Sequence, residues 1–83
     1  MTEQIRRLLA LLAEQGPMGR PEAQAALNLT SQANFRQRYL EPALRDGLVE
    51  MTVPDRPKSR AQRYRITPAG AAALAGKGPA VED

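Results

Sequence analysis

Apolar residues recur with helical spacing over the start of the chain. They occupy positions i, i+3, i+4 and i+7, which is typical of one buried helix face: Ile5, Leu8, Leu9 and Leu12. Thr2 stands where a capping residue is expected, and Gly16-Pro17 interrupts the pattern. The pattern therefore predicts a first helix that begins after Thr2 and ends near Gln15.

A second, shorter helix is predicted from Pro21 to about Leu27, because proline is favoured at the first helical position. Its expected buried residues are Ala23, Ala26 and Leu27. The preceding segment, Met18 to Arg20, is too short for an independent strand, but it could pair with a later hairpin as a third strand. Asn28-Leu29 then reads as a tight turn, with Thr30 as the cap of a third helix. A short helix, a tight turn and a capped helix together indicate a helix-turn-helix.

The third helix separates its residues into two faces on a wheel of about 100° per residue. The expected buried face holds Ala33, Phe35, Tyr39, Leu40, Ala43 and Leu44. The opposite face, near the start of the helix, holds Ser31, Asn34, Gln37 and Arg38. These side-chain types read base edges or bind phosphates in protein–DNA complexes, although an ordinary solvated helix face has the same composition.

Two positions disturb this wheel. Gln32 and Arg36 fall inside the apolar arc, so we expect Arg36 to lay its stem over the core and to pair with a carboxylate such as Glu50. Pro42 lacks the N–H that a helix needs, and we expect it to kink or restart the helix at Leu40-Glu41.

A hairpin and a last helix complete the pattern. Gly47 is expected to end the third helix, and residues 48–52 alternate like a half-buried strand. A loop with two prolines follows, and Gln62 to Thr67 returns as a second strand with Tyr64 and Ile66 on one face. Thr67-Pro68 should begin a helix that runs to about Ala75 and packs Ala71, Ala72 and Leu74 on the first helix. The predicted fold is α+β: a winged helix-turn-helix with a three-helix core, a β-hairpin wing and an extra C-terminal helix, as one domain over residues 1–75 with a flexible tail over 76–83.

The basic residues concentrate in the hairpin. The chain of 83 residues carries a formal charge of +3. Residues 51–66 hold Arg56, Lys58, Arg60, Arg63 and Arg65, and Asp55 is their one carboxylate. This local excess suits a polyanion, although solvated basic loops of this kind are common.

The composition excludes several classes of function. Without cysteine or histidine the chain has no disulfide, no thiolate metal site and no histidine base, so we expect no enzyme activity, no metal and no cofactor. The segment 70–78 has glycines and Lys77 in an order similar to a phosphate-binding loop, but its spacing is one residue too long and Gly78 stands where serine or threonine is needed. The longest apolar run, 8–13, is far shorter than the ~20 residues of a membrane span, which favours a cytoplasmic protein.

These patterns favour a module that binds double-stranded DNA. The third helix would enter the major groove, with candidate contacts at Ser31, Gln32, Asn34, Gln37 and Arg38. The wing would hold phosphates or the minor groove through Arg56, Lys58, Arg60 and Arg63. A homodimer would bind two half-sites of the DNA instead of one. The alternative, from another class, is a winged helix that docks a partner protein or a neighbouring domain of a larger protein.

A family resemblance adds to this interpretation. The run 35–44 (FRQRYLEPAL), the strand and wing start 47–57 and the segment 59–64 resemble the C-terminal winged-helix domain of bacterial RecG-related transcriptional regulators, a domain type that also ends some Fic-family proteins. The resemblance extends over about residues 4–75. It implies a DNA-binding domain within a larger protein. Fic-type nucleotidyl transfer needs a catalytic histidine, so any such chemistry is expected outside this chain.

Overall fold

The computed structural model describes residues 1–76. It contains helices α1 (Glu3–Gln15), α2 (Arg20–Ala26), α3 (Gln32–Phe35), α4 (Glu41–Arg45) and α5 (Pro68–Leu74), a π-helical segment (Arg36–Leu40) between α3 and α4, and strands β1 (Val49–Met51) and β2 (Tyr64–Ile66). The predicted tail, apart from Gly76, lies outside the described residues.

Helix α1 begins and ends where the pattern predicts. The Thr2 Oγ1 accepts a hydrogen bond from the N–H of Ile5 at 3.1 Å, and Gly16 leaves the helix with a φ of 81°. The four apolar residues of the expected face are all buried, and Leu9 has no exposed surface. The spacing alone was sufficient here because one face of α1 packs on the rest of the domain.

Helix α2 begins one residue earlier than predicted, with Gly19 as its cap. The Glu22 carboxylate accepts from the N–H of Gly19 at 2.8 Å and so closes the first turn. Ala23 is buried but Ala26 is exposed, so the prediction that Ala26 belongs to the core was wrong. The turn after α2 places Asn28 at a φ of 63°, a left-handed conformation that asparagine tolerates.

The segment before α2 pairs with the hairpin as a single bridge. The N–H of Met18 donates to the Tyr64 carbonyl at 3.0 Å, and the N–H of Tyr64 donates to the Met18 carbonyl at 2.8 Å. The expected third-strand pairing is therefore present, reduced to one residue. It ties the start of α2 to the return strand of the wing.

The third helix begins at a different cap from the predicted one. Ser31, not Thr30, is the cap, because its Oγ accepts from the N–H of Asn34 at 3.1 Å. The helix then runs from α3 through the π-helical segment into α4. Phe35, Tyr39 and Ala43 are buried as predicted.

The π-helical segment lies directly before Pro42. In a regular α-helix the proline ring would clash with the Arg38 carbonyl, four residues earlier, and would leave that carbonyl without a donor. A wider turn relieves this conflict: the N–H of Glu41 donates to the Arg36 carbonyl, and α4 restarts at Glu41 as predicted.

The wheel fails at three positions near the start of the third helix. Ala33 and Gln32 are exposed rather than buried, and Arg36 is exposed too. The Arg36 Nε lies 3.3 Å from a Glu41 oxygen, so Arg36 pairs with a carboxylate as expected, but the partner is Glu41 and not Glu50. Glu50 instead accepts a 2.6 Å hydrogen bond from Arg65, its direct cross-strand neighbour.

The hairpin is antiparallel and shorter than predicted. Val49 pairs with Ile66, Glu50 with Arg65 and Met51 with Tyr64. Gly47 precedes it with a φ of 74°, as expected for a residue that ends a helix in the left-handed region. Val49 and Tyr64 are buried, so one face of the hairpin closes the core.

Helix α5 fastens the end of the hairpin to the core. The Thr67 Oγ1 accepts from the N–H of Gly70 at 3.0 Å and donates to the Gly47 carbonyl at 2.6 Å. Ala72 and Leu74 are half-buried. Ala71 is exposed, so the prediction that Ala71 packs on the first helix was wrong. The core is built from buried residues of five helical segments (α1, α2, α3, the π-helical segment and α4) and of the hairpin: Ile5, Leu8, Leu9, Leu12, Ala23, Leu27, Phe35, Tyr39, Leu40, Ala43, Val49 and Tyr64. The fold is the predicted α+β winged helix.

Candidate nucleic-acid interface

The start of the third helix presents polar side chains to solvent. Ser31, Gln32 and Asn34 are exposed. The Ser31 Oγ already accepts the capping hydrogen bond from the N–H of Asn34, so it can offer a ligand its O–H donor and one remaining lone pair. The amides of Gln32 and Asn34 lie on the short α-helical stretch before the π-helical segment.

Gln37 and Arg38 lie within the π-helical segment itself. They line a shallow groove of about 350 Å³ together with residues at the start of α1 and at the end of α4, among them Thr2 and Asp46. Arg38 makes no ion pair with any of residues 1–76. The residues that the wheel assigns to one face are thus spread over two geometrically different parts of the helix.

The wing is organised around the side chain of Gln62. This amide is buried, with 6% of its surface exposed. Its Oε1 accepts from the N–H of Val53 at 3.0 Å, and its Nε2 donates to the carbonyls of Val53 and Arg56. Both amide hydrogens and the oxygen are therefore satisfied by the loop backbone, and the loop is held from its inner side.

The sequence pattern predicts that Gln62 begins the return strand but indicates no role for it. The signal was nevertheless present, because Gln62, Tyr64 and Ile66 alternate on one strand face and that face is the buried one. An inward glutamine beside a loop with two prolines is a candidate to bind the loop backbone.

The predicted cations of the wing fall into two groups. Arg56, Lys58 and Arg60 are exposed and make no ion pair within the described part of the chain. Arg63, in contrast, lies 3.5 Å from the Glu22 carboxylate of α2. Three of the four predicted wing residues are therefore available to a ligand, and the fourth is engaged in the fold.

A cleft separates the start of α2 from the wing. It is lined by residues 19–22 on one side and by the wing and return strand, 57–60 and 62–64, on the other, and encloses about 400 Å³. Arg20, Lys58, Arg60 and Arg63 line it, and Glu22 is their one carboxylate. Arg20 was not predicted, because its neighbourhood with the wing is created by the Met18–Tyr64 bridge, which joins residues far apart in the chain.

Two features of residues 1–76 bear on other classes of function. No group of three or more histidine, cysteine, aspartate or glutamate residues is arranged to hold a metal ion. None of the helices in this part is long and apolar enough to cross a membrane.

Comparison with known proteins identifies the family. Residues 3–67 match the family described as "Filamentation induced by cAMP protein Fic-like, C-terminal domain". A crystal structure of a Fic family protein from Desulfovibrio desulfuricans G20 superimposes with a TM-score of 0.77 at 37% sequence identity, over 82% of this chain. The aligned region is 21% of that protein, so the chain spans about a fifth of its length. A search of curated proteins found no match.

The RecG-related side of the expected resemblance has no counterpart among these findings; the Fic side does. The matched family describes the C-terminal domain, which is the non-catalytic part of Fic proteins. Together, the match over residues 3–67 and the shared winged-helix fold show that this chain belongs to the family of Fic-like C-terminal domains.

Proposed function

We propose that this domain binds double-stranded DNA, with the start of the third helix in the major groove and the wing on the phosphate backbone. The observation that carries the proposal is the set of wing cations, Arg56, Lys58 and Arg60, which are exposed and make no ion pair among residues 1–76. Cations that are not neutralised within the fold are the groups that displace counterions from a nucleic acid.

The distribution of ion pairs supports this proposal. Whereas Arg7, Arg20 and Arg38 make no ion pair among residues 1–76, five other arginines outside the exposed part of the wing each lie within 4 Å of a carboxylate: Arg6, Arg36, Arg45, Arg63 and Arg65. Their charge is largely offset locally, whereas that of the wing is not. The positive potential outside the molecule should therefore be strongest at the wing.

The apolar surface gives little support to a hydrophobic docking site. Among the described residues, Met1 is the large hydrophobic side chain that is well exposed, at 63%. A protein-docking winged helix should instead present a contiguous apolar patch. The polar and basic surface of the third helix and wing is better suited to a duplex.

We expect the isolated domain to bind weakly, with a dissociation constant of about a micromolar or more, since one module contacts few phosphates. Dimerisation, within a larger protein or through this chain, would add a second half-site and raise the affinity. A role in transcriptional regulation, and a relation to RecG-related regulators, belong to the same proposal.

A second candidate is docking onto another domain. The length of the D. desulfuricans protein favours this candidate, because the region similar to this chain is only 21% of that protein. A domain within a larger chain has neighbours that it can contact, and a polar interface of moderate size is common between domains.

Fluorescence anisotropy with labelled random-sequence duplexes at two salt concentrations separates the two candidates. DNA binding predicts an affinity that falls as salt is raised. Lys58→Ala should lower the slope of log K against log salt by roughly one on every duplex, because it removes one phosphate contact. Arg38→Ala should instead cost about 1–3 kcal/mol on a selected site and leave the slope for random duplexes nearly unchanged, if Arg38 reads a base.

The Lys58→Ala and Arg38→Ala variants serve as controls for each other. Equal behaviour of the two variants would remove the assignment of Arg38 to the major groove. Absence of binding by the wild-type chain at low salt would reject the DNA proposal and favour docking onto a protein domain.

A further inference from the structure

The cleft between α2 and the wing concentrates positive charge. Its lining contains four cationic side chains and one carboxylate. Two of them, Lys58 and Arg60, come from the wing, and Arg20 comes from the first turn of α2. Arg20 makes no ion pair with residues 1–76.

The two walls of the cleft are held in position by the fold. The Met18–Tyr64 bridge fixes the chain immediately before α2 against the return strand, through hydrogen bonds of 3.0 and 2.8 Å. The Gln62 amide holds the loop on the opposite wall. The charges therefore converge on a preformed space, so that little conformational entropy is lost when a ligand binds.

The lining selects the chemistry of the ligand. Guanidinium groups offer paired N–H donors that match the oxygens of a phosphate, and a lysine ammonium adds a point charge. Apart from Tyr64, the lining has no aromatic ring on which a base or another flat ligand could stack. The cleft is open to solvent and is continuous with the wing, which suits one phosphate of a polymer that passes across it.

We propose that this cleft binds a backbone phosphate of duplex DNA, with Arg20, Lys58 and Arg60 as its ligands. The proposal deepens and rests on the proposed DNA-binding function. It adds Arg20, on α2, to a surface that otherwise consists of the third helix and the wing.

Glu22 limits the affinity of this site. Its carboxylate accepts from the N–H of Gly19 and pairs with Arg63 at 3.5 Å, so it places a negative charge inside the cleft. An entering phosphate is repelled by this carboxylate and competes with it for Arg63. Glutamine at this position keeps the oxygen that caps α2 but removes the charge.

The test compares Arg20→Gln and Glu22→Gln in the 83-residue chain, with Arg6→Gln as the matched control. Arg6 is an exposed arginine of α1 that does not line the cleft, and its loss changes the net charge by the same amount. For random duplexes, Arg20→Gln should weaken binding roughly threefold to tenfold and lower the salt slope by about one. Glu22→Gln should tighten binding by a similar factor, and Arg6→Gln should leave the slope unchanged.

The outcomes separate this inference from the proposed function. If the wild-type chain binds duplexes and Arg20→Gln behaves like Arg6→Gln, the cleft is not a phosphate site, and DNA binding by the helix and wing stands. Far-UV circular dichroism of each variant shows that a loss of binding is not a loss of fold.

A second arm applies if the wild-type chain binds no duplex. Inorganic phosphate is then titrated while amide shifts are followed by NMR. Shifts confined to residues 19–22 and 58–64 that disappear in Arg20→Gln would keep the cleft as a phosphate site without DNA. Absence of such shifts would overturn the inference as well.

Discussion

At the scale of single residues, one hydroxyl determines where the third helix begins. Thr30 and Ser31 are adjacent, and both residue types are good caps. The turn after α2, with Asn28 in the left-handed region, brings the Ser31 Oγ to the N–H of Asn34. Neighbouring caps of equal propensity cannot be distinguished from sequence, because the choice depends on the path of the preceding turn.

Ser31→Ala should therefore destabilise the domain by about 0.5–2 kcal/mol, the usual cost of a lost cap. Thr30→Ala is the matched control and should change the free energy of unfolding by less than about 0.5 kcal/mol, as at most exposed positions. Urea unfolding followed by circular dichroism measures both. A larger loss at Thr30 than at Ser31 would contradict the observed cap.

Arg36 illustrates a second limit at this scale. Its position on an ideal wheel suggested a partner on the hairpin, but the π-helical turn directs it to Glu41, five residues along the same helix. The presence of Pro42 predicted a disturbance of the helix and its position. It did not predict that the disturbance would be a wider turn rather than a kink, since both relieve the same clash.

At the scale of elements, α5 lies so close to Leu48, the residue before β1, that a side chain has no room between them. A Cβ at Gly70 would overlap the Leu48 carbonyl oxygen and would lie 2.9 Å from the Ile66 side chain. The Thr67 hydroxyl fixes this approach from both sides through Gly47 and Gly70. Helix α5 cannot shift outward without breaking these hydrogen bonds.

Gly70→Ala should destabilise the domain by about 1–3 kcal/mol or more, even though alanine favours a helix, because the added methyl group meets backbone rather than a flexible side chain. Ala71→Ser, at an exposed position of the same helix, should change stability by less than about 0.5 kcal/mol. Thermal unfolding of the two variants provides the comparison. A stabilised Gly70→Ala protein would show that α5 does not pack as described.

At the scale of the whole molecule, one small core holds every element together. It takes residues from α1, α2, the third helix and the hairpin. Domains of this size have stabilities of about 5–15 kcal/mol, usually near the lower end. A single substitution that creates a large cavity in this core should therefore remove much of the free energy of unfolding.

Leu9→Ala is expected to cost about 2–5 kcal/mol, since Leu9 has no exposed surface and its neighbours come from several elements. Leu11→Ala, two residues along the same helix, removes a side chain that is only partly buried and should cost about 1 kcal/mol or less. Guanidinium unfolding of both variants tests this contrast. Similar losses would mean that α1 is not packed on the face that contains Leu9.

The sequence was most informative where structure depends on local periodicity. The face of α1, the cap of α5 at Thr67 and the restart at Glu41 follow from neighbouring residues. The cleft could not be predicted, because Arg20 and Arg60 come together only through the Met18–Tyr64 bridge. Contacts between distant segments depend on the whole fold, and a single sequence contains no direct signal for them.

The inward position of Gln62 has a consequence for how this domain can change. Its side-chain hydrogen bonds reach only backbone atoms of the loop, so they do not depend on which side chains the loop carries at positions 56, 58 and 60. The side chains at those positions can be replaced without removing the hydrogen bonds that hold the loop backbone. We therefore expect related domains to carry different side chains at these positions on the same wing backbone, and new ligand contacts to be designed there without a change of fold.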